Sequence, residues 1–119
     1  MSLKKVTAIF DELRLQEVED ALLSHCVSGF TVHNVRGRGN YFDSYNEGRL
    51  ISHLQLDIYT NEEYADEIAR LIVSTAFVNA DGEGLVSVIP VDSVYWIHSQ
   101  QKAQATEFIY REVKDDEQR

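Results

Sequence analysis

The chain has one cysteine, one proline and one tryptophan, and only eleven lysines and arginines against twenty aspartates and glutamates. Each shortage excludes something. A lone Cys26 forbids an intramolecular disulfide and makes the cytoplasm the expected compartment. A formal net charge of −9 argues against a nucleic-acid binder, whose affinity would rest on basic side chains neutralising phosphates. No apolar run approaches the roughly 20 residues that a membrane-spanning helix needs. Residues 1–6 lead directly into patterned sequence and carry no signal-peptide core. What remains, 119 residues of which 44% are hydrophobic and 26% charged, has the profile of one soluble domain large enough to bury a core.

Glycine is scarce but clustered. Three glycines, three arginines and three aromatic residues share the stretch VRGRGNYFDSYNEGR, residues 35–49. With no aliphatic residue after Val35, it reads as a loop and not as a helix or regular strand. An RNA-binding Arg-Gly segment would usually repeat; this one occurs once. A second cluster, Gly82-Glu83-Gly84, closes the turn-rich residues 79–84.

Between these clusters the hydrophobic period changes repeatedly. Residues 4–10 are a β-branched run and read as a first strand. Leu15, Val18, Leu22 and Cys26 then recur at helical spacing over 14–26, with Ser28-Gly29 as the expected helix stop. Residues 30–35 form a second strand. In the third, Leu54, Leu56 and Ile58 alternate with His53, Gln55, Asp57 and Tyr59. Thr60-Asn61-Glu62-Glu63 has the form of a capping box opening a second helix through Tyr64, Ile68, Leu71, Ile72 and Thr75. Strands over 85–91 and 94–98 close the core, with Pro90 near the end of the first. The stripe Ala105, Phe108, Ile109 and Val113 predicts a last helix within 102–113. The order βαββαβ predicts an α+β, ferredoxin-like split βαβ fold, an antiparallel sheet with two helices on one face plus a short extra C-terminal strand. The mixed face bearing His53, Gln55, Asp57 and Tyr59 suits contact with another subunit.

Catalytic chemistry has little to stand on. His25, His33, His53 and His98 form no close metal pair, and His53 and Asp57 lie about 13 Å apart at strand rise. Cys26 reads as a small buried hydrophobe. No nucleophile elbow or triad signature is present, so an enzyme is not expected. Gly37-Arg38-Gly39 after one strand and Gly82-Glu83-Gly84 before another could be plain turns. Together they could also offer backbone N–H groups to an anion.

The order of these pieces resembles the PII-type signalling proteins over about residues 4–100. The resemblance is carried by Gly29-Phe30-Thr31-Val32 leading into Val35-Arg36-Gly37-Arg38-Gly39, by Gly82-Glu83-Gly84, and by Val88-Ile89-Pro90-Val91 followed by Val94-Tyr95. It implies a PII-like domain over residues 1–100, with a shortened T-loop at 36–50, a B-loop-like turn at 78–84 and a C-terminal tail at 101–119. It implies a homotrimer with small-ligand sites in the clefts between subunits, and a loop that docks on a protein target such as a membrane transporter. Thr31, Arg36, Gly37, Arg38, Gly39, Gly82, Glu83, Gly84, Trp96 and His98 are the ligand-binding candidates under this resemblance. Tyr41, Phe42, Tyr45 and Arg49 are candidate loop contacts. Where ATP-binding members carry basic residues, Ala80, Leu85, Trp96 and His98 stand here. AMP, ADP or a cyclic nucleotide is therefore expected ahead of ATP. A bicarbonate- or metal-responsive regulator and a ligand-independent trimeric adaptor are the alternatives.

Overall fold

A computed structural model describes residues 1–40, 51–79 and 83–113. Strand β1 (Leu3–Phe10) buries Val6, Ala8 and Phe10, the alternation of a strand with one face against a core. A 3₁₀ turn at Glu12–Arg14 follows, started by Asp11, whose carboxylate accepts the Leu13 backbone N–H at 2.9 Å. Helix α1 (Leu15–Ser24) buries Val18 and Leu22. β2 (Thr31–Gly37) and β3 (Ile51–Asn61) come next, then helix α2 (Ala65–Ala76), which buries Ala65, Ile68 and Ile72. Strand β4 (Gly84–Val91) completes an antiparallel four-stranded sheet in the order β2-β3-β1-β4.

Both helices pack on one face of that sheet. Val6, Ala8, Phe10, Leu56 and Ile58 meet Val18, Leu22, Ile68 and Ile72 in a single cluster. The Arg14 guanidinium donates to the Thr75 carbonyl at 2.7 Å, tying the start of α1 to the end of α2. The expected ferredoxin-like arrangement is present, and β3 alternates only in part as expected: Leu54, Leu56 and Ile58 are buried, Tyr59 is exposed and Gln55 and Asp57 are half-buried, but His53, expected on the open face, is buried.

Five local expectations are corrected. Helix α1 stops at Ser24, before Ser28-Gly29, in a Schellman motif: the Val27 N–H donates to the Leu22 carbonyl (2.9 Å) and the Cys26 N–H to that of Leu23 (3.0 Å). Cys26 occupies the left-handed position there with φ 69°, and its side chain is exposed, not buried. Val27, one residue on, enters the core instead. The capping box at residues 60–63 does not form. β1–β3 pairing holds the chain through Asn61, and the Glu62 N–H still donates to the Ser2 carbonyl, so the ladder outcompetes the cap. Asn61 Oδ1 takes the Tyr64 N–H instead, and α2 begins at Ala65.

The strand expected over 94–98 is a two-residue β5 (Tyr95–Trp96). It pairs with β6 (Gln101–Lys102) in a separate hairpin and does not join the core sheet. The helix expected within 102–113 is replaced by a 3₁₀ turn at Ala105–Glu107 and extended chain. No helix among the described residues is long and apolar enough to cross a membrane.

Candidate functional site

β3 outruns its neighbour. The last β2–β3 pair is Thr31 with Asp57, whereas β1 accompanies β3 to Asn61. The Glu62-to-Ser2 hydrogen bond sets the phase of the β1–β3 ladder. Hydrogen-bonded pairs alternate along an antiparallel ladder, so Thr60 and Ile58 turn their backbone groups toward β1. Tyr59 turns its N–H and C=O the other way, toward the side that β2 has vacated. One donor and one acceptor stand next to each other on an unaccompanied strand edge.

A cavity of about 480 Å³ lies beside that edge. Its walls include Cys26, Thr31, Asp57 and Tyr59 from the sheet side, and Trp96 and Phe108 from the C-terminal segment. The left-handed turn at Cys26 redirects the chain from α1 toward β2 along one wall. The opposite wall is a strap, residues 103–113, laid back over the domain. Asn61 Nδ2 donates to the Ala105 carbonyl at 2.7 Å, and the Trp96 indole N–H points at the Glu107 carboxylate, 3.2 Å from Oε1 and 3.3 Å from Oε2. The Phe108 ring lies 6.0 Å from that of Trp96.

Farther along, the Tyr110 ring stacks on His25 at 4.9 Å and 13°, and the tilted Tyr64 ring lies 6.1 Å from it. The Arg111 N–H donates to the His25 carbonyl at 2.9 Å, and His25 Nδ1 sits 2.7 Å from the Arg111 carbonyl oxygen. A carbonyl can only accept, so Nδ1 carries the proton. Burial above all, then the Glu67 and Glu112 carboxylates, holds the Tyr110 hydroxyl above the ordinary phenol value.

The residues singled out by sequence divide into two groups. Thr31 and Trp96 line the cavity. His98 is exposed in the turn between β5 and β6 and does not line it. Arg36, Gly37, Arg38 and Gly39 lie at or beyond the far end of β2, with Gly37 about 20 Å from Thr31 at strand rise. Gly84 pairs with Phe10, which pairs with Leu54, so Gly84 stands at the same end of the sheet as Gly37. Glu83 and Gly84 line a smaller hollow of about 100 Å³ there with Phe77 and Val86. Gly82 lies outside the described residues, as do Tyr41, Phe42, Tyr45 and Arg49. Within one chain, then, the glycine turns gather at one end of the sheet and Thr31 with Trp96 at the other. Among the described residues no group of three or more His, Cys, Asp or Glu side chains could hold a metal ion.

Sequence reasoning missed the strand edge at Tyr59 and the strap residues Glu107, Phe108 and Tyr110. The signal for the edge was the difference in length between the second and third strands. The strap left no local signal beyond its aromatic residues.

Similarity to known proteins follows the same core. The family model described as nitrogen regulatory protein P-II matches residues 3–101. The chain is 33% identical over 107 residues to the nitrogen regulatory protein P-II of Synechocystis sp., covering 84% of this chain and 96% of that protein. It is 32% identical over 105 residues to the nitrogen regulatory protein P-II 2 of Methanothermobacter thermautotrophicus, covering 82% and 90%. The crystal structure of Arabidopsis thaliana PII bound to citrate superposes with a TM-score of 0.74 at 25% identity, covering 87% of this chain and 90% of that one.

Proposed function

The chain belongs to the nitrogen regulatory protein P-II family, whose members are signal-transduction regulators, and from that premise we propose that it senses an adenine nucleotide in clefts between the subunits of a cytoplasmic homotrimer. AMP, ADP or a cyclic nucleotide is the effector, ahead of ATP, and the loop at 36–50 carries the signal to a protein partner such as a transporter. The carrying observation is the cavity beside the free edge of β3. Its Tyr59 N–H and C=O offer the paired donor and acceptor that a nucleobase edge needs, between the aromatic walls of Trp96 and Phe108. The two halves of the candidate set lie at opposite ends of one sheet. A second subunit is what would bring Gly37, Arg38, Gly39 and Gly84 to the phosphate side of that cavity.

A second reading is a small anion, such as bicarbonate, held at the glycine turns. The Arabidopsis relative bound to citrate favours it. Calorimetric titration with AMP, ADP, ATP and cyclic AMP, each with and without bicarbonate, decides between them, with sedimentation to read the assembly. Micromolar binding of AMP or ADP by a trimer is expected. Heat only with bicarbonate would transfer the site to the glycine turns, and silence toward every nucleotide would refute the nucleotide reading.

A further inference from the structure

The charged residues lining the cavity are of one sign. Among the described residues they are Asp57 and Glu107, with no lysine, arginine or histidine. The two carboxylates are held differently. Asp57 is tied into the sheet, accepting from Thr7 Oγ1 at 2.5 Å and from Gln55 Nε2 at 3.3 Å. Glu107 arrives on the strap, where its Oε2 accepts the Gln104 backbone N–H at 2.5 Å and both oxygens share the Trp96 indole N–H. The indole has one proton to give, and Glu107 already engages it. A phosphate entering here would meet a fixed negative charge and find that donor occupied. The strap also lies beyond the stretch matched by the family model, residues 3–101.

We infer that Glu107 is a specificity-determining residue of the cleft, which it tunes toward the uncharged, hydrogen-bonding end of a ligand and against ligands in proportion to their negative charge. The inference rests on reading the cavity as the nucleotide site. The base lies between Trp96, Phe108 and the Tyr59 edge, while the phosphates leave through the mouth and carry their charge past Glu107. Repulsion by the carboxylate grows with every added phosphate. The strap thereby acts as a charge filter as well as a wall.

The test is Glu107→Gln in the full chain, which keeps an oxygen acceptor for Gln104 and Trp96 and removes the charge. Glu112→Gln, an equal change of charge at an exposed residue that does not line the cavity, is the control. Adenosine, AMP and ATP are titrated into wild type and both variants at one ionic strength. Adenosine is expected to bind wild type and E107Q within about twofold of each other, while ATP tightens about fivefold or more in E107Q alone. Added salt should narrow the adenosine–ATP gap more in wild type than in E107Q.

An unchanged ATP-to-adenosine ratio in E107Q overturns the inference while leaving the nucleotide reading intact. An equal loss for all three ligands does the same, because it marks Glu107 as a structural contact. A response in E112Q equal to that in E107Q makes the effect a property of the general field and overturns it too. If none of the three ligands binds wild type, the nucleotide reading fails and takes this inference with it.

Discussion

Replacing Gly84 by alanine should damage the fold far more than replacing Gly29, although both glycines border the features argued above. Gly84 opens β4 opposite Phe10 with φ +117°. A Cβ there would stand 1.8 Å from the Ile9 carbonyl oxygen and 2.9 Å from its carbon. Both are main-chain atoms of β1, so no side chain can rotate out of the way. An ordinary carbon–oxygen contact is about 3.3 Å, which requires the ends of β1 and β4 to part by about 1.5 Å. Parting breaks the terminal ladder hydrogen bonds, worth about 1 kcal/mol each and more when a partner is left unsatisfied. The left-handed backbone adds about 1–2 kcal/mol for any residue with a side chain. The sum, about 3–4 kcal/mol, is a large fraction of the 5–15 kcal/mol that stabilises a typical domain and corresponds to a fall in Tm of about 10 °C or more. At Gly29 nothing lies within 4 Å of the added Cβ, so Gly29→Ala should be neutral or stabilising by about 0.5 kcal/mol. Guanidinium unfolding at matched protein concentration measures both, since assembly would couple stability to concentration. G84A unfolding within about 1 kcal/mol of wild type would refute the close-approach argument. Equal losses in G84A and G29A would refute its assignment to Ile9.

Cys26→Gly should raise stability by about 0.5–1 kcal/mol, because a left-handed helix stop suits glycine and the exposed thiol gives up little packing; the denaturant midpoint checks it, and a fall would show that the side chain holds the turn. Tyr110→Ala should release the strap at a cost of about 1 kcal/mol, seen as a red shift of Trp96 fluorescence and faster proteolysis after Arg111. Stability should also fall as pH rises past about 10: the Tyr110 hydroxyl is held above its ordinary value, so the unfolded chain ionises first and binds fewer protons than the folded one. Tyr110→Phe should flatten that alkaline limb, and an unchanged limb would assign it to other groups.

The architecture was legible because its signals are local. Alternation of Leu54, Leu56 and Ile58 with Gln55 and Tyr59, and helical spacing of Val18 with Leu22 and Ile68 with Ile72, fix which face each element buries, and all of these except exposed Tyr59 and half-buried Gln55 entered the core side as expected. The misreadings share a cause: a longer-range partner won. Thr60 looked like a cap, but pairing with Lys4 in β1 kept it in the strand. Phe108 and Tyr110 fitted a helical region, yet extended chain lets them reach Trp96 and His25 instead. The Arg111 carbonyl and His25 meet across 86 positions of sequence, a contact no window of neighbouring residues reveals. Thr31 and Trp96, both named from positions that the family resemblance marks, line the cavity. Tyr59 was missed because its contribution is backbone, set by where β2 happens to end.

That same mismatch in strand length bears on solubility. A strand edge with free N–H and C=O groups is a template on which another copy of the chain can add its own strand, and proteins blunt such edges by covering or charging them. Here loop residues 26–30 and strap residues 107–109 bracket the edge at Tyr59, and Glu107 places a charge beside it. A chain cut after Lys102 would keep the main core cluster, losing Ala103 and the Tyr110 ring packed against it, and would present an open sheet margin to its neighbours. By covering that margin, the strap does for the edge at Tyr59 what a neighbouring strand would otherwise do.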